Sequence, residues 1–370
     1  MGLFESLRRL LPTRAPSNPK SRWQFLDNGT CTDALRDGEL AWRVGTSRFK
    51  SLLQGLEKRT ENSLGRRLAH AALEHEERFI GLGRISRPYG RDPSSWSEYI
   101  SDWESRGLGR FRLLDDEENI RILVEGPASG PICAGVIAAA WECSTGRRHR
   151  FTWSDGASDG LVISLIEQHT NVPGPKPMSV PWISSGTTHL PGIHGTQVDP
   201  DYWADYRSEG GGTWSIMGER RLMIHLDLIT RFEEYCIPYL EGNRFLRSED
   251  YEWGGLEDKR SLWWDATADS AREGFVSEGH HVLVRDDSDW ISITRRHLSR
   301  HGLGGLSSAK QIDGHGGVLL TFSEVFHPAI SSGILLGCWE RAYGRNGRAK
   351  LSFKSGESTL ELCSSRAIAD

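Results

Sequence analysis

Apolar residues recur along the chain with two different periods, and the alternation between them sets the predicted elements. Phe49, Leu52, Leu53 and Leu56 in residues 48–57, then Leu64, Leu68, Ala72, Leu73 and Phe79 in 64–79, fall three to four apart and predict two helices. Residues 222–240 and 261–275 take the same helical role in the second half. Short apolar runs at 120–124 and 318–322 predict strands. Residues 132–145 and 330–343 then read as apolar helices, each followed by a glycine (Gly146, Gly344), the residue favoured just past a helix end. Further strands are expected at 151–153 and 161–165, and at 351–353 and 360–362.

The two series overlay. From Ile120 to Arg150 the chain aligns without a gap to a stretch 198 residues later, so that Ile132 meets Ile330. Gly135 meets Gly333, and Trp141-Glu142 meets Trp339-Glu340. Upstream, Gly107-Leu108-Gly109 matches Gly302-Leu303-Gly304 once three residues of loop are inserted. This self-similarity predicts an α+β protein of two similar domains, each an antiparallel sheet packed with helices, arising by internal duplication. The predicted organisation is an N-terminal amphipathic segment at 1–20, a first domain at 21–170, a connection at 171–216 and a second, divergent copy at 217–370. A length of 370 residues agrees with two domains. Pro and Gly are dense enough in the connection to disfavour regular elements, while Trp182, Tyr202, Trp203, Tyr206 and Trp214 predict that it packs against the rest.

Charge and cysteine usage narrow the classes. A net charge of -5 argues against nucleic acid as a partner, since phosphate binding draws on an excess of Lys and Arg. No apolar run reaches the roughly 18 residues of a membrane span. Glu5, Arg8 and Arg9 interrupt the run that a secretory signal would need. Six cysteines without a CxxC pair predict a reducing, cytoplasmic setting. Leu3, Phe4, Leu7, Leu10 and Leu11 share one face of a short helix ended by Pro12. Residues 1–14 are therefore expected to dock on the protein itself, on a protein partner or on a membrane surface, and Gly2 with Ser6 fits the myristoylation pattern of a eukaryotic host.

The order of elements, with helices first, then GLGRF at 107–111, IRILVE at 120–125 and the proline-led helix from PICAG at 131–135 to Gly146, resembles the 4-vinyl reductase (hydrocarbon-binding) domain family. That family is related to the small TRAPP vesicle-tethering subunits and, more loosely, to haem-based nitric oxide sensor domains. The resemblance covers residues 44–165, with a poorer match in the second copy. It implies an antiparallel sheet covered by helices, an apolar cavity for a small hydrophobic ligand, and a dimer-like pair formed within one chain. Cys133 matches the family's helix-start cysteine. The later cysteine pair is missing and Ser331 replaces Cys133 in the second copy, which puts metal binding by the family's cysteines in doubt.

Within that frame the ligand-binding candidates are Cys133, Gly135, Ala138 and Trp141. The first-copy helix carries small residues where the second carries Ile334, Leu335 and Leu336, leaving room for a ligand only in the first copy. Cys133 is read as a buried small hydrophobe or as a ligand-contacting or lipid-modified thiol, and the recurring Trp-Glu pairs as core and capping residues or as a symmetric pair of contact positions. The runs 147–150 and 345–348 are solvated turns or phosphate contacts. His297 and His301, four apart, have zinc-chelating spacing, but no HExxH glutamate or third ligand accompanies them. His189, His194 and the His280-His281 pair are set aside likewise, and no metal is assigned. No phosphate loop, dinucleotide motif, nucleophile elbow or paired-carboxylate signature appears, so no catalytic residue or cofactor is assigned. The expected function is non-enzymatic: a small-hydrophobic-ligand-binding or scaffolding protein, peripheral to a membrane. The alternatives are an interaction subunit of a larger assembly, and an enzyme with a site between the halves, roofed by the connection. An enclosed apolar cavity favours the first, exposed aromatic patches the second, and a polar cleft with histidines and carboxylates the third.

Overall fold

Residues 23–25, 31–33 and 39–45 pair as strands ahead of the helix expected at 48–57. The computed structural model describes residues 18–115, 119–156, 159–169, 174–180, 182–183, 186–188, 196, 200–242, 245–354 and 357–366. The predicted N-terminal helix with Gly2 and Ser6, and His189 and His194, lie outside the described residues. The first half comprises β1 (Trp23–Phe25), β2 (Cys31–Asp33), β3 (Glu39–Gly45), α1 (Thr46–Thr60), α2 (Gly65–Gly81), α3 (Ser97–Ser105), β4 (Arg110–Asp115), β5 (Ile120–Glu125), α4 (Gly130–Thr145), β6 (Arg148–Asp155) and β7 (Leu161–Gln168). The remainder comprises β8 (Tyr206–Gly210), β9 (Thr213–Ile216), β10 (Glu219–His225), α5 (Leu226–Cys236), β11 (Tyr251–Trp253), α6 (Asp258–Ser277), α7 (Asp289–His297), β12 (Gly304–Gln311), β13 (Val318–Val325), α8 (Pro328–Tyr343), β14 (Gly347–Lys354) and β15 (Glu357–Ser364).

Two expectations need correction. The helix expected at 222–240 starts only at Leu226: Leu222 and Ile224 pair with Val44 and Trp42 on β3, and that ladder holds the segment extended. The connection, where Pro and Gly density disfavoured regular elements, contains the β8–β9 hairpin, whose turn is made by Gly210, Gly211 and Gly212, all at positive φ. Glycine adopts that backbone without steric cost, so the same residues that argue against a strand build the turn between two.

Three sheets result. A central six-stranded sheet runs β1-β2-β3-β10-β9-β8, joining both halves through the antiparallel β3–β10 pair. The first outer sheet runs β4-β5-β7-β6; the second runs β12-β13-β15-β14, with β11 added in parallel on β14. Antiparallel sheets packed with helices are thus present in each half, in the same strand order.

The matched positions of the sequence do the same work in both. Gly146 and Gly344 end α4 and α8 at φ 68° and 67°, and each donates its N–H to a glutamate carbonyl at 2.8 Å. Glu142 Oε1 accepts the N–H of His149 at 2.7 Å, and Glu340 Oε1 accepts that of Gly347 at 3.0 Å, so each glutamate fastens its helix to the following strand. Cys133 Sγ donates to the Leu108 carbonyl at 3.6 Å, and Ser331 Oγ donates to the Leu303 carbonyl at 3.1 Å. A Cβ on Gly135 would lie 2.1 Å from the Ala69 carbonyl oxygen, and one on Gly333 would lie 2.1 Å from that of Ala268. These two glycines therefore admit a neighbouring helix, α2 or α6.

The joint between the halves is further held by an ion network buried beside β2, β10 and α2. Arg22 donates to both oxygens of Asp33, at 2.9 and 2.5 Å, and its Nη1 lies 2.9 Å from Asp102. Arg106 reaches Glu76 at 2.8 Å and Asp102 at 2.7 Å. Asp33 Oδ2 is 2.9 Å from His225 Nε2, His225 Nδ1 is 3.2 Å from His75 Nε2, and His75 Nδ1 is 2.9 Å from Asp227 Oδ2. All of these residues are buried. Burial alone would raise the carboxylates, but Arg22 holds Asp33, and Arg106, Arg22 and Arg36 hold Asp102, well below the usual range. Burial pushes His75 and His225 down to about 3.

Two outcomes are expected. Gly135→Ala and Gly333→Ala should each cost roughly 1–3 kcal/mol in denaturant unfolding, as overpacking does; a loss at one site only would mean that the two helix crossings differ. The second concerns acid. An imidazole kept neutral in the fold but near pKa 6.5 in the unfolded chain makes unfolding take up protons as pH falls below about 6.5, and the depressed carboxylates extend the loss below about 4. Glu39, raised to about 8 by burial and by the charge of Asp227, works the other way between its ordinary value and 8. The melting temperature should fall from pH 6.5 to pH 4 with net proton uptake, which the pH slope of the unfolding free energy measures; a flat profile would contradict neutral burial of the pair.

Candidate functional site

Most of β3 is apolar, as in Leu40-Ala41-Trp42, but Arg43 interrupts it; in β10, Arg221 precedes Leu222-Met223-Ile224. Both arginines are buried, at 4% and 8% exposure. Arg43 Nη1 donates to the Tyr202 carbonyl at 2.6 Å and Nη2 to the Arg300 carbonyl at 2.5 Å. Its guanidinium lies 4.5 Å from the ring centre of Phe25 and 5.0 Å from that of Trp203, and its Nε has no hydrogen-bond partner. Among the described residues no carboxylate pairs with it. Burial, with the charges of Arg221 and Arg300, pushes Arg43 down to about 9. Arg221 Nη2 lies 2.7 Å from Glu219 Oε2, and its Nε is also without a partner.

Both arginines line a cleft of about 760 Å³ where the halves meet, a volume typical of small-molecule sites. One wall is the end of β3 and the start of α1, with Ser47 and Arg48; another is the β9–β10 turn, with Ile216, Met217 and Glu219. The third comes from the end of α7 and the turn after it, with Arg296, His297, Arg300 and His301. The connection contributes Asp201, Tyr202, Ala204 and Asp205, and the segment after α6 contributes Glu278 and His280. Met217 is 75% exposed at φ 54° and, with Gly218 at φ 75°, forms a tight hairpin turn that sets an apolar side chain on the rim.

Five arginines and four carboxylates, Asp201, Asp205, Glu219 and Glu278, line the cleft, which gives it a small positive excess. Two of the five arginines are paired, Arg48 with Glu278 and Arg221 with Glu219, while Arg43, Arg296 and Arg300 have no carboxylate partner among the described residues. Burial, together with the charges of His280, Arg48 and Arg296, pushes His297 down to about 4; burial beside Arg48, Arg221 and Arg43 lowers His301 as well. These rings are neutral at physiological pH, so the positive character comes from guanidinium groups. A neutral imidazole flanked by arginines can accept or donate a hydrogen bond without adding charge.

The histidines considered as metal ligands in the sequence meet here in part. His280 and His297 have ring centres 5.2 Å apart. His301 sits in the turn Ser299–His301 and not on α7, and its Nδ1 is 3.2 Å from the Arg43 carbonyl. Among the described residues no group of three or more His, Cys, Asp and Glu is placed to hold a metal ion. The predicted ligand residues lie elsewhere: Cys133, Gly135, Ala138 and Trp141 are wholly buried in α4. Burial pushes the Cys133 thiol up to about 11, which disfavours a reactive thiolate. Of the basic turns, Arg148 pairs with Glu142 at 2.7 Å, and Arg345 lies over the rings of Trp339 and Tyr343. Arg43 and Arg221 were missed by sequence reasoning, although a charged residue inside an apolar strand run is itself a signal, because a buried charge needs a partner. No family model matches the chain, and no curated protein matches it.

Proposed function

We propose that the chain is a binding protein made of two copies of one α+β unit, with an anion-binding cleft where the copies join. The single observation that carries this reading is Arg43: a guanidinium at 4% exposure that lines the cleft and is bonded only to carbonyl oxygens, without a carboxylate partner among the described residues. Burying a charge is costly unless it is paired, and a bound anion would supply that pair. Common origin of the copies rests on the shared strand order and on the Cys133/Ser331, Glu142/Glu340 and Gly135/Gly333 equivalences. Kinship with the hydrocarbon-binding family is proposed on the order of elements alone.

The apolar-ligand reading has less support. A pocket among α1, α5, α6 and α8, lined by residues such as Leu52, Phe232 and Trp263, offers about 20 Å³, little more than one water needs. A hydrophobic ligand there would require the helices to part.

An anion that binds the folded chain alone should raise its melting temperature. With ligand at one hundred times its Kd the gain is about 2.7 kcal/mol. Phosphate and sulfate at low ionic strength, where screening is weak, are expected to stabilise the full chain, and the exposed pair Arg296→Gln/Arg300→Gln to weaken that effect several-fold, because two cationic groups leave the cleft lining. Calorimetric titration checks both. Equal response of the double variant and the wild type would place the anion outside the cleft.

A further inference from the structure

The two halves finish the outer edge of their sheets differently. In the second half β14 is covered by β11, which runs parallel to it with Tyr251 beside Ala349 and Trp253 beside Leu351. Gly254 donates its N–H to the Leu351 carbonyl at 2.9 Å, so the backbone groups of Leu351 point away from β15 and toward the added strand. Tyr251 and Trp253 turn onto α6: the Tyr251 hydroxyl donates to Asp269 at 3.1 Å, and Trp253 Nε1 donates to Asp265 at 2.7 Å. Between them Glu252 turns the other way, and its carboxylate lies 2.6 Å from Lys350 Nζ. β11 belongs to the long connection 237–257 between α5 and α6.

The first half has no such connection. There α1 and α2 are joined by residues 61–64 alone, and β6 is the last strand of its sheet among the described residues. Trp153 holds the place of Leu351, pairing with Ile163 as Leu351 pairs with Leu360. Its outward backbone groups and those of Phe151 meet no further strand among the described residues. Ala69 and Ala268 correspond through their contacts with Gly135 and Gly333, which sets Arg66 in the place of Asp265 and His70 in that of Asp269. Both are exposed, as is Arg150, which holds the place of Arg348. Arg66 and Arg150 have no carboxylate partner among the described residues. Glu74 is engaged by Arg231 and Tyr235, Glu77 by Arg148, and the one acidic residue of β6, Asp155, ends the strand. A strand added to β6 therefore has to bring acceptors where β11 brings donors.

We infer that the β6 edge is a docking site for an extended acidic segment of a partner protein, added parallel to β6 as β11 is to β14. A carboxylate beside Phe151 meets His70, one beside Thr152 meets Arg150, and one beside Trp153 meets Arg66. Exposed ion pairs alone are worth little. Backbone hydrogen bonds to Phe151 and Trp153 supply the affinity, as in other strand additions to an open sheet edge, and the charges select the partner.

The test uses the full chain and fluorescein-labelled, end-capped peptides followed by anisotropy at low ionic strength. One peptide carries a central run of glutamates flanked by valine and threonine; a second carries lysines in their place; a third is the acidic peptide with alternate backbone amides N-methylated. Wild type should bind the acidic peptide and neither of the others, because N-methylation keeps the charge and removes the edge hydrogen bonds. Arg66→Glu/Arg150→Glu should weaken binding roughly tenfold or more. Arg110→Glu/Arg112→Glu makes the same charge change on exposed residues of β4, the opposite edge, and should leave binding intact. Melting curves establish that each variant is folded. The inference is overturned if wild type fails to bind the acidic peptide, if the N-methylated peptide binds equally, or if the β4 variant weakens binding as much. It is overturned also if sedimentation shows wild type to be a dimer that Arg66→Glu/Arg150→Glu dissociates, which would give the edge to a second copy. None of these results bears on the anion cleft, which lies at the β3–β10 joint.

Discussion

Each half of this protein carries a helix that it does not pack itself, and the rest of the arrangement depends on that. β3 and β10 lie side by side and antiparallel, from Ala41 opposite His225 to Gly45 opposite Arg221. Each strand runs directly into a helix, α1 from β3 and α5 from β10. Because the strands leave the ladder in opposite directions, the two helices emerge at opposite ends, and each crosses to the other half: α1 packs on α6, and α5 packs on α2. Neither half can cover its own long helix alone. Separating them would expose apolar faces on both, at roughly 25 cal/mol for each Å² uncovered.

The two ends of that ladder have opposite chemistry. At the His225 end the polar groups are paired: Asp33, Glu76, Asp102 and Asp227 each meet an arginine. Removing one partner from such a buried set typically costs 3–5 kcal/mol, because the other charge is left behind. At the Arg221 end the balance is open, with cationic groups facing a cleft and Arg43 bonded only to carbonyl oxygens. One end closes the joint, and the other leaves arginines facing a cleft.

Much of the outer fold was legible in the chain. The helices of 132–145 and 330–343 and their glycine ends are local signals, read from spacing and from one residue type. The central sheet was not. In β2 all three residues, Cys31, Thr32 and Asp33, are buried, and β3 is buried throughout, so neither shows the alternation of a half-exposed strand. Residues 222–225 were absorbed into the following helix for the same reason. Cys133 was legible as a position and not as a role. Only its hydrogen bond to Leu108, repeated by Ser331 with Leu303, explains why a thiol and a hydroxyl are interchangeable there. The ion network was beyond reach, and the cleft was legible only as a site between the halves beneath the connection, since their members are up to 258 residues apart and nothing local marks them as neighbours.

Asp33, His225, His75 and Asp227 stand in a row with three short gaps between them. Each gap needs one proton to become a hydrogen bond, and two neutral imidazoles bring only two. The row is therefore one proton short, and the vacancy has to sit somewhere. With the vacancy beside Asp227, both rings donate toward Asp33; with it beside Asp33, both donate toward Asp227. Moving it from one end to the other reverses both tautomers in step. Asp33 belongs to β2 and Asp227 to α5, so the place of a single missing proton decides whether a strand of the first half or a helix of the second receives the donated hydrogen bond.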